Sequence, residues 1–184
     1  IEDNTCQTCG ACGMMGTANT MGTAVEAVGL SLPGCGTISA VASSRLRLAR
    51  MSGERIVDMV REDLRISKIL TKENLINMIK YVLAIGGSSN AVLHIPAIAK
   101  QLGIDLAMDV FDELSSTTPL LAKFKPASPY TLKDFHQVGG VQALLKVLSP
   151  LLVTDIITVT GKTIAENIKD VPLVENEIIY SMDK

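Results

Sequence analysis

From Met14 to about Val28, small residues and methionines recur at helical spacing, and Gly29 stands where such a helix would end. Residues 30–36 (LSLPGCG) read as a turn, and residues 37–51 as a second helix. Ser52 is placed to cap a third. Its Ile56, Val57, Val60 and Leu64 share one face, while Glu54, Asp58, Arg61, Glu62 and Arg65 fall mostly on the other. Thr71 caps a fourth helix, apolar at Leu75, Ile76, Met78, Ile79, Val82 and Leu83, which stops at Gly86-Gly87. Ser88-Ser89-Asn90 caps a fifth that runs to Leu102 and should kink at Pro96, because proline lacks a backbone donor and crowds the preceding turn. A short sixth helix fits residues 108–114, and a seventh fits residues 140–148, ended by Pro150.

Between these last two, Thr117 to Pro129 holds three prolines and reads as an ordered loop over the surface. Strand character comes late, in Ile156-Ile157-Thr158-Val159 before Gly161 and in Ile178-Ile179-Tyr180. The pattern divides the chain at residues 150–155 into a helical part, 1–150, and the opening strands of a second unit, 151–184. The stripes of 53–69, 71–85 and 88–102 are joined by short links and should pack as neighbours. That packing would bury Ile56, Val60, Leu64, Ile79, Val82, Leu83, Leu93 and Ile98, with 156–159 outside the helical core.

With 184 residues, 47% of them hydrophobic, the chain can build a real core, and with 3% aromatics and no Trp that core must be aliphatic. A net charge of -2 without a long Lys/Arg run argues against nucleic acid as a partner, as does the lack of aromatic stacking platforms. The longest uncharged stretch, Asn4 to Val25, is rich in Thr, Gly, Asn and Cys and would insert poorly in a membrane. It also lacks the basic start of a signal peptide. A cytoplasmic setting (organellar in a eukaryote) is therefore the default, and four Cys there suggest metal rather than disulfides. Beginning at Ile1 rather than Met, the chain reads as processed or as a piece of a longer one.

Cys6-x-x-Cys9-x-x-Cys12 carries the chemistry. Free cysteines are often small buried hydrophobes, but thiolates are soft ligands that select zinc or iron–sulfur clusters. A structural zinc site usually needs two Cys pairs or His partners, and the remaining candidates, Cys35, His94 and His136, form no paired pattern. A bacterial ferredoxin run would continue with Cys-Pro, yet Gly16 stands there. The spacing thus indicates metal, with further ligands elsewhere, and leaves open which thiols bind.

The segments CQTCGACGMMGTANTM (6–21) and VGLSLPG (28–34) resemble the cluster-ligand region of the dihydroxy-acid, 6-phosphogluconate and sugar-acid dehydratases. SGERIV (52–57), IGGSSNAVLH (85–94), LAKFKP (121–126), DFHQVGG (134–140) and TVTGKTIAENI (158–168) follow in that family's order, so the resemblance covers nearly the whole chain. It implies an α/β fold: the predominantly helical portion of an α/β/α N-terminal domain, then the opening strands of a β-rich C-terminal domain. It implies Cys12 as the thiol that reaches an iron–sulfur cluster (2Fe-2S or 4Fe-4S), with Cys9 and Cys6 as second-rank ligands and Cys35 packing. The reaction implied is loss of water from a 2,3-dihydroxy acid, giving a 2-keto acid. Iron acts as Lewis acid, Mg2+ and a modified lysine hold the substrate, and a serine alkoxide removes the C2 proton. The remaining cluster cysteines, the Mg2+ ligands and the serine belong to parts of the family's sequence outside these residues, so no catalytic residue is assigned here. A homodimer is implied as well.

The Cys6/Cys9 pair favours the branched-chain amino-acid enzyme, whereas Met15-Gly16-Thr17-Ala18 is reminiscent of the sugar-acid branch. Two other readings are a non-enzymatic zinc-binding module on Cys6, Cys9, Cys12 and Cys35, and an apo helical domain with free thiols. Residues 86–90 could offer amides to an anion but read more simply as a helix cap. His94 and His136 read as hydrogen-bonded core histidines, and Arg45, Arg47 and Arg50 as a solvated helix face available for a subunit or domain contact. Asn19 and Thr20 are placed to hydrogen-bond around the ligand loop.

Overall fold

The computed structural model describes residue 10 and residues 12–182. In chain order these form α1 (Thr17–Ala27), α2 (Ser43–Arg61), α3 (Ile66–Ile69), α4 (Lys72–Ala84), α5 (Ala91–Gln101), α6 (Asp109–Ser115), α7 (Leu132–Gln137), α8 (Gly140–Leu148) and α9 (Ile164–Ile168), with a 3-10 turn at Ser149–Leu151. The described residues are therefore predominantly helical. Their β pairing amounts to two isolated antiparallel bridges, Ala122 with Ile179 and Ile157 with Thr163.

The core is built around α4. Thr71 caps it as expected, its side chain accepting from the Asn74 amide at 3.3 Å. Asn74, Leu75, Asn77, Met78, Ile79, Tyr81, Val82 and Ala84 are all buried, because α1, α5, α6 and α8 pack around this one helix. The two asparagines make that burial possible. Asn74 donates to the carbonyls of Val28 (2.9 Å) and Ile69 (2.8 Å), joining the end of α1 to the start of α4. Asn77 pairs with both backbone groups of Val153, at 2.8 and 3.0 Å, and so lays the connector after α8 along α4.

Several expectations need correction. Residues 37–51 and 53–69 are not two helices divided at Ser52. One helix, α2, runs from Ser43 to Arg61, and the Ser52 hydroxyl donates to the Leu48 carbonyl (2.9 Å) one turn back instead of capping a new start. It ends at Asp63, whose φ of 51° lets Leu64 N–H reach the Met59 carbonyl and Asp63 N–H the Val60 carbonyl, at 2.9 and 3.3 Å. None of its residues is buried, so Ile56 and Val60 lie 54% and 76% exposed rather than in the core. Leu93 is also exposed, at 66%, since α5 meets α4 through Ala91, Ile95 and Ala99. Ile79 and Val82 are buried as expected, and Leu64, Leu83 and Ile98 are half-buried. Pro96 is accommodated within a continuous α5.

The proline-rich segment does not simply cross the surface. Thr118, Leu121, Ala122 and Phe124 are buried, and the N–H groups of Leu121 and Ala122 both donate to the Ala84 carbonyl, closing the end of α4. Helices α7 and α9, which periodicity does not reveal, each begin with a capping box, Thr131 with Asp134 and Thr163 with Glu166. Thr158 and Val159 pack on the end of α1, where Val159 N–H donates to the Gly29 carbonyl at 2.8 Å. Gly29 has φ 72°, and a Cβ there would lie 2.3 Å from the Thr158 methyl, so only glycine fits this corner.

Candidate metal-ligand loop

Cys12 sits in the loop that leads into α1, and it is exposed. The loop around it is held on three sides. The buried Asn19 side chain, in the first turn of α1, donates to the carbonyls of Cys12 (2.5 Å) and Met14 (2.7 Å). Met15 N–H donates to the Lys125 carbonyl at 3.0 Å, and Leu132 N–H to the Gly13 carbonyl at 3.1 Å. The backbone of residues 12–15 is thus fixed by α1 and by the chain entering α7, while Cys12 is exposed, its thiol donating to the Met14 carbonyl at 3.8 Å. A thiol so placed can become a metal ligand without rearrangement of its backbone. Cys6 and Cys9 lie outside the described residues. Among the described residues, no three His, Cys, Asp or Glu side chains converge to hold a metal by themselves.

Behind this loop, the turn at residues 86–90 is docked on α1. Ser88 N–H donates to Thr20 Oγ1 (2.9 Å), Ser88 Oγ and Thr17 Oγ1 lie 3.1 Å apart, and Asn90 Nδ2 donates to Thr17 Oγ1 (2.7 Å). Asn90 stands at the N-cap of α5 as expected, but its side chain is turned to α1 and makes no cap bond; within the turn Ser88 Oγ accepts from Asn90 N–H at 3.3 Å. Of the two residues expected beside the loop, Asn19 hydrogen-bonds to it, whereas the Thr20 hydroxyl is taken by the 86–90 turn.

The two histidines are not core residues. His94 is exposed in a groove between α1 and α5 lined by Thr17, Ala18, Met21 and Ile98. His136 is exposed too, although its Nδ1 lies 2.8 Å from Thr37 Oγ1. The reason is common to both: each falls on the outer side of a helix whose inner side is filled by Ile95 or Phe135. Cys35 is partly buried in the turn after α1, and its carbonyl accepts from Arg45 at 2.8 Å. Arg45, Arg47 and Arg50 are exposed, as a solvated face requires.

A residue with no obvious signature organises that turn. Glu26 is 2% exposed, and its carboxylate accepts from Gly34 N–H (2.8 Å), Gly36 N–H (2.7 Å) and Gln142 Nε2 (2.9 Å). Burial pushes its pKa above the ordinary glutamate value, and these three donors pull against that shift without cancelling it. The available clue was positional: with Asn19, Thr23 and Ala27, Glu26 falls on the buried side of α1, where a lone charge needs a dedicated set of donors.

The sequence matches the family model described as dihydroxy-acid/6-phosphogluconate dehydratase N-terminal over residues 1–167. It is also similar along its entire length to curated proteins named dihydroxy-acid dehydratase. The protein from Caldicellulosiruptor saccharolyticus is 45% identical over 185 aligned residues, covering 100% of this chain and 34% of the relative. That from Caldanaerobacter subterraneus subsp. tengcongensis is 46% identical, covering 100% and 33%, and that from Methanococcoides burtonii 48% identical, covering 95% and 32%. The chain belongs to the dihydroxy-acid/6-phosphogluconate dehydratase family, and its sequence corresponds to the N-terminal region that the model describes. It spans about a third of the length of the curated relatives it matches.

Proposed function

We propose that the intact protein is an iron–sulfur-dependent hydro-lyase that converts a 2,3-dihydroxy acid to a 2-keto acid, and specifically a dihydroxy-acid dehydratase of branched-chain amino-acid biosynthesis. The observation that carries this reading is the 45–48% identity, over 95–100% of the chain, to proteins bearing that name. The Cys6/Cys9 pair favours the same substrate class over the sugar acids.

The described residues fit one thiolate ligand to a cluster: Cys12 is accessible, and its backbone is immobilised by Asn19. Cys9 and Cys6 are the remaining candidates in this chain, and the Mg2+ ligands belong to other parts of the intact protein. When bound, the cluster supplies a Lewis-acidic iron for the hydroxyl that leaves. The part played by these residues is positional. Asn19 and the Met15–Lys125 and Gly13–Leu132 backbone bonds hold the Cys12 loop, while Thr17, Thr20, Ser88 and Asn90 brace the start of α1 behind it. On the same reading the protein is a cytoplasmic homodimer, residues 1–150 belong to its N-terminal domain, and residues 151–184 begin the second.

In the intact protein, Cys12→Ser should abolish dehydration of 2,3-dihydroxyisovalerate and bleach the visible absorption of the cluster, while Cys6→Ser should do markedly less. Iron and labile sulfide analysis of both variants checks this. Equal losses would overturn the ranking of the thiols, and stoichiometric zinc in place of iron would overturn the reading itself.

A further inference from the structure

Residues 121–125 lie between two segments that are distant from them in sequence and from each other. At one end, Tyr180 N–H donates to the Leu121 carbonyl at 2.7 Å, and Ala122 forms its antiparallel bridge with Ile179. At the other end, the Lys125 carbonyl accepts from Met15 N–H in the cysteine loop at 3.0 Å. The strip is anchored from beneath, because Leu121 and Phe124 are buried and the Phe124 ring lies 5.0 Å from that of Phe135 in α7. The chain then folds back on itself. Lys125 N–H donates to the Tyr130 carbonyl at 2.8 Å, and Leu132 N–H reaches the Gly13 carbonyl at 3.1 Å. Residues 121–132 therefore clamp the cysteine loop on both sides of Met14, one residue beyond Cys12.

A single side-chain bond closes this clamp. Tyr130 Oη donates to Glu177 Oε2 at 2.8 Å, and a hydrogen bond to an ionised acceptor is among the stronger kinds. Both partners are set by their own backbone. Tyr130 N–H donates to Ser128 Oγ at 3.3 Å. Beside Glu177, Asn176 Oδ1 accepts from the N–H groups of Ile178 and Ile179 at 2.8 and 2.7 Å, and both isoleucines are buried. The Tyr130 ring packs against the core, where phenylalanine would serve as well. What the hydroxyl adds is the link to Glu177. That link joins the part of the clamp nearest the cysteine loop to the segment that pairs with its far end.

We propose that Tyr130 and Glu177 are positioning residues for the Cys12 ligand: docking of residues 176–180 tightens the 121–132 clamp, and the clamp holds the backbone that carries the thiol. The proposal rests on the reading of Cys12 as a cluster ligand for its purpose, though not for the mechanical coupling itself.

Tyr130→Phe and Glu177→Ala, singly and together in the intact protein, test it with two measurements. In metal-free protein, amide hydrogen exchange of residues 12–16 should quicken about three- to tenfold in each variant, while exchange in α4 stays unchanged. In iron-loaded protein, loss of the visible absorption to a chelator should quicken by a similar factor. The double variant should match the single ones, since either substitution already breaks the bond. Glu177→Gln, which keeps an acceptor, should lie closer to the original protein than Glu177→Ala does. Exchange that quickens only within residues 176–180 makes the bond a tie for that segment alone and overturns the proposal. Exchange that quickens equally in α4 shows general loosening and overturns it too, as does a loosened loop with an unchanged rate of iron loss. If the metal-free loop loosens as expected but the original protein binds zinc instead of iron, the coupling is upheld and only the cluster reading falls.

Discussion

Asn19 directs one amide group at two carbonyls of the ligand loop, and Asn74 and Asn77 do the same kind of work for the joints between helices. Removing Asn19 should therefore be felt at the metal before it is felt in the fold. In the intact protein, Asn19→Ala is expected to lower iron affinity by about 10–100-fold, as loss of a group that orients a ligand commonly does; titration of cluster loss against a chelator measures it. Glu26 acts differently, because its pKa is raised in the folded state. The folded protein then holds a proton that the unfolded chain has released, so this residue's contribution to stability falls as pH rises above 4.5 toward its raised folded value. Denaturant midpoints across that window should decline with pH, and Glu26→Gln should flatten the decline even though it disturbs the Gly34 and Gly36 contacts. The cysteine loop was legible from its spacing and the choice of Cys12 from the family resemblance, while Asn19 could be placed beside it because it follows only seven residues later. Glu26 was not, because its partners are backbone groups eight and ten residues ahead and a glutamine 116 residues away.

Among the helices, α4 and α2 show how little an apolar stripe alone decides. Both have one, yet α4 is enclosed by four other helices and α2 buries nothing. Leu75→Ala or Ile79→Ala should cost about 2–5 kcal/mol of unfolding free energy, while Ile56→Ala should stay within about 0.5 kcal/mol. Urea unfolding of the three variants separates the two cases. Periodicity found α1, α4, α5, α6 and α8 within a few residues of their ends, because each follows a cap or a glycine stop. It divided α2 wrongly, since a serine inside a helix and a serine before one look alike until the hydroxyl's acceptor is known. It passed over α7 and α9, which are too short to show a period, although their Thr-Leu-Lys-Asp and Thr-Ile-Ala-Glu starts are capping boxes that could have been read directly.

For the molecule as a whole, the helical character was legible and the path of the last third was not. Residues 149–159 return along α4 to the end of α1, guided by Asn77, by Lys80, which donates to the Leu151 carbonyl at 2.6 Å, and by the space that Gly29 leaves open. Such contacts join residues more than 70 positions apart, and no local pattern announces them. The attachment of α2 to the body by Arg45 and Arg55 reaches beyond packing. A helix of 19 residues with no buried side chain opens locally at a small fraction of the free energy of global unfolding. That helix thus presents proteases with a segment containing Arg47, Arg50 and Arg61. Brief trypsin treatment should cut first within residues 43–61. A chain nicked there would keep the packing around α4, because α2 contributes no buried residue to it.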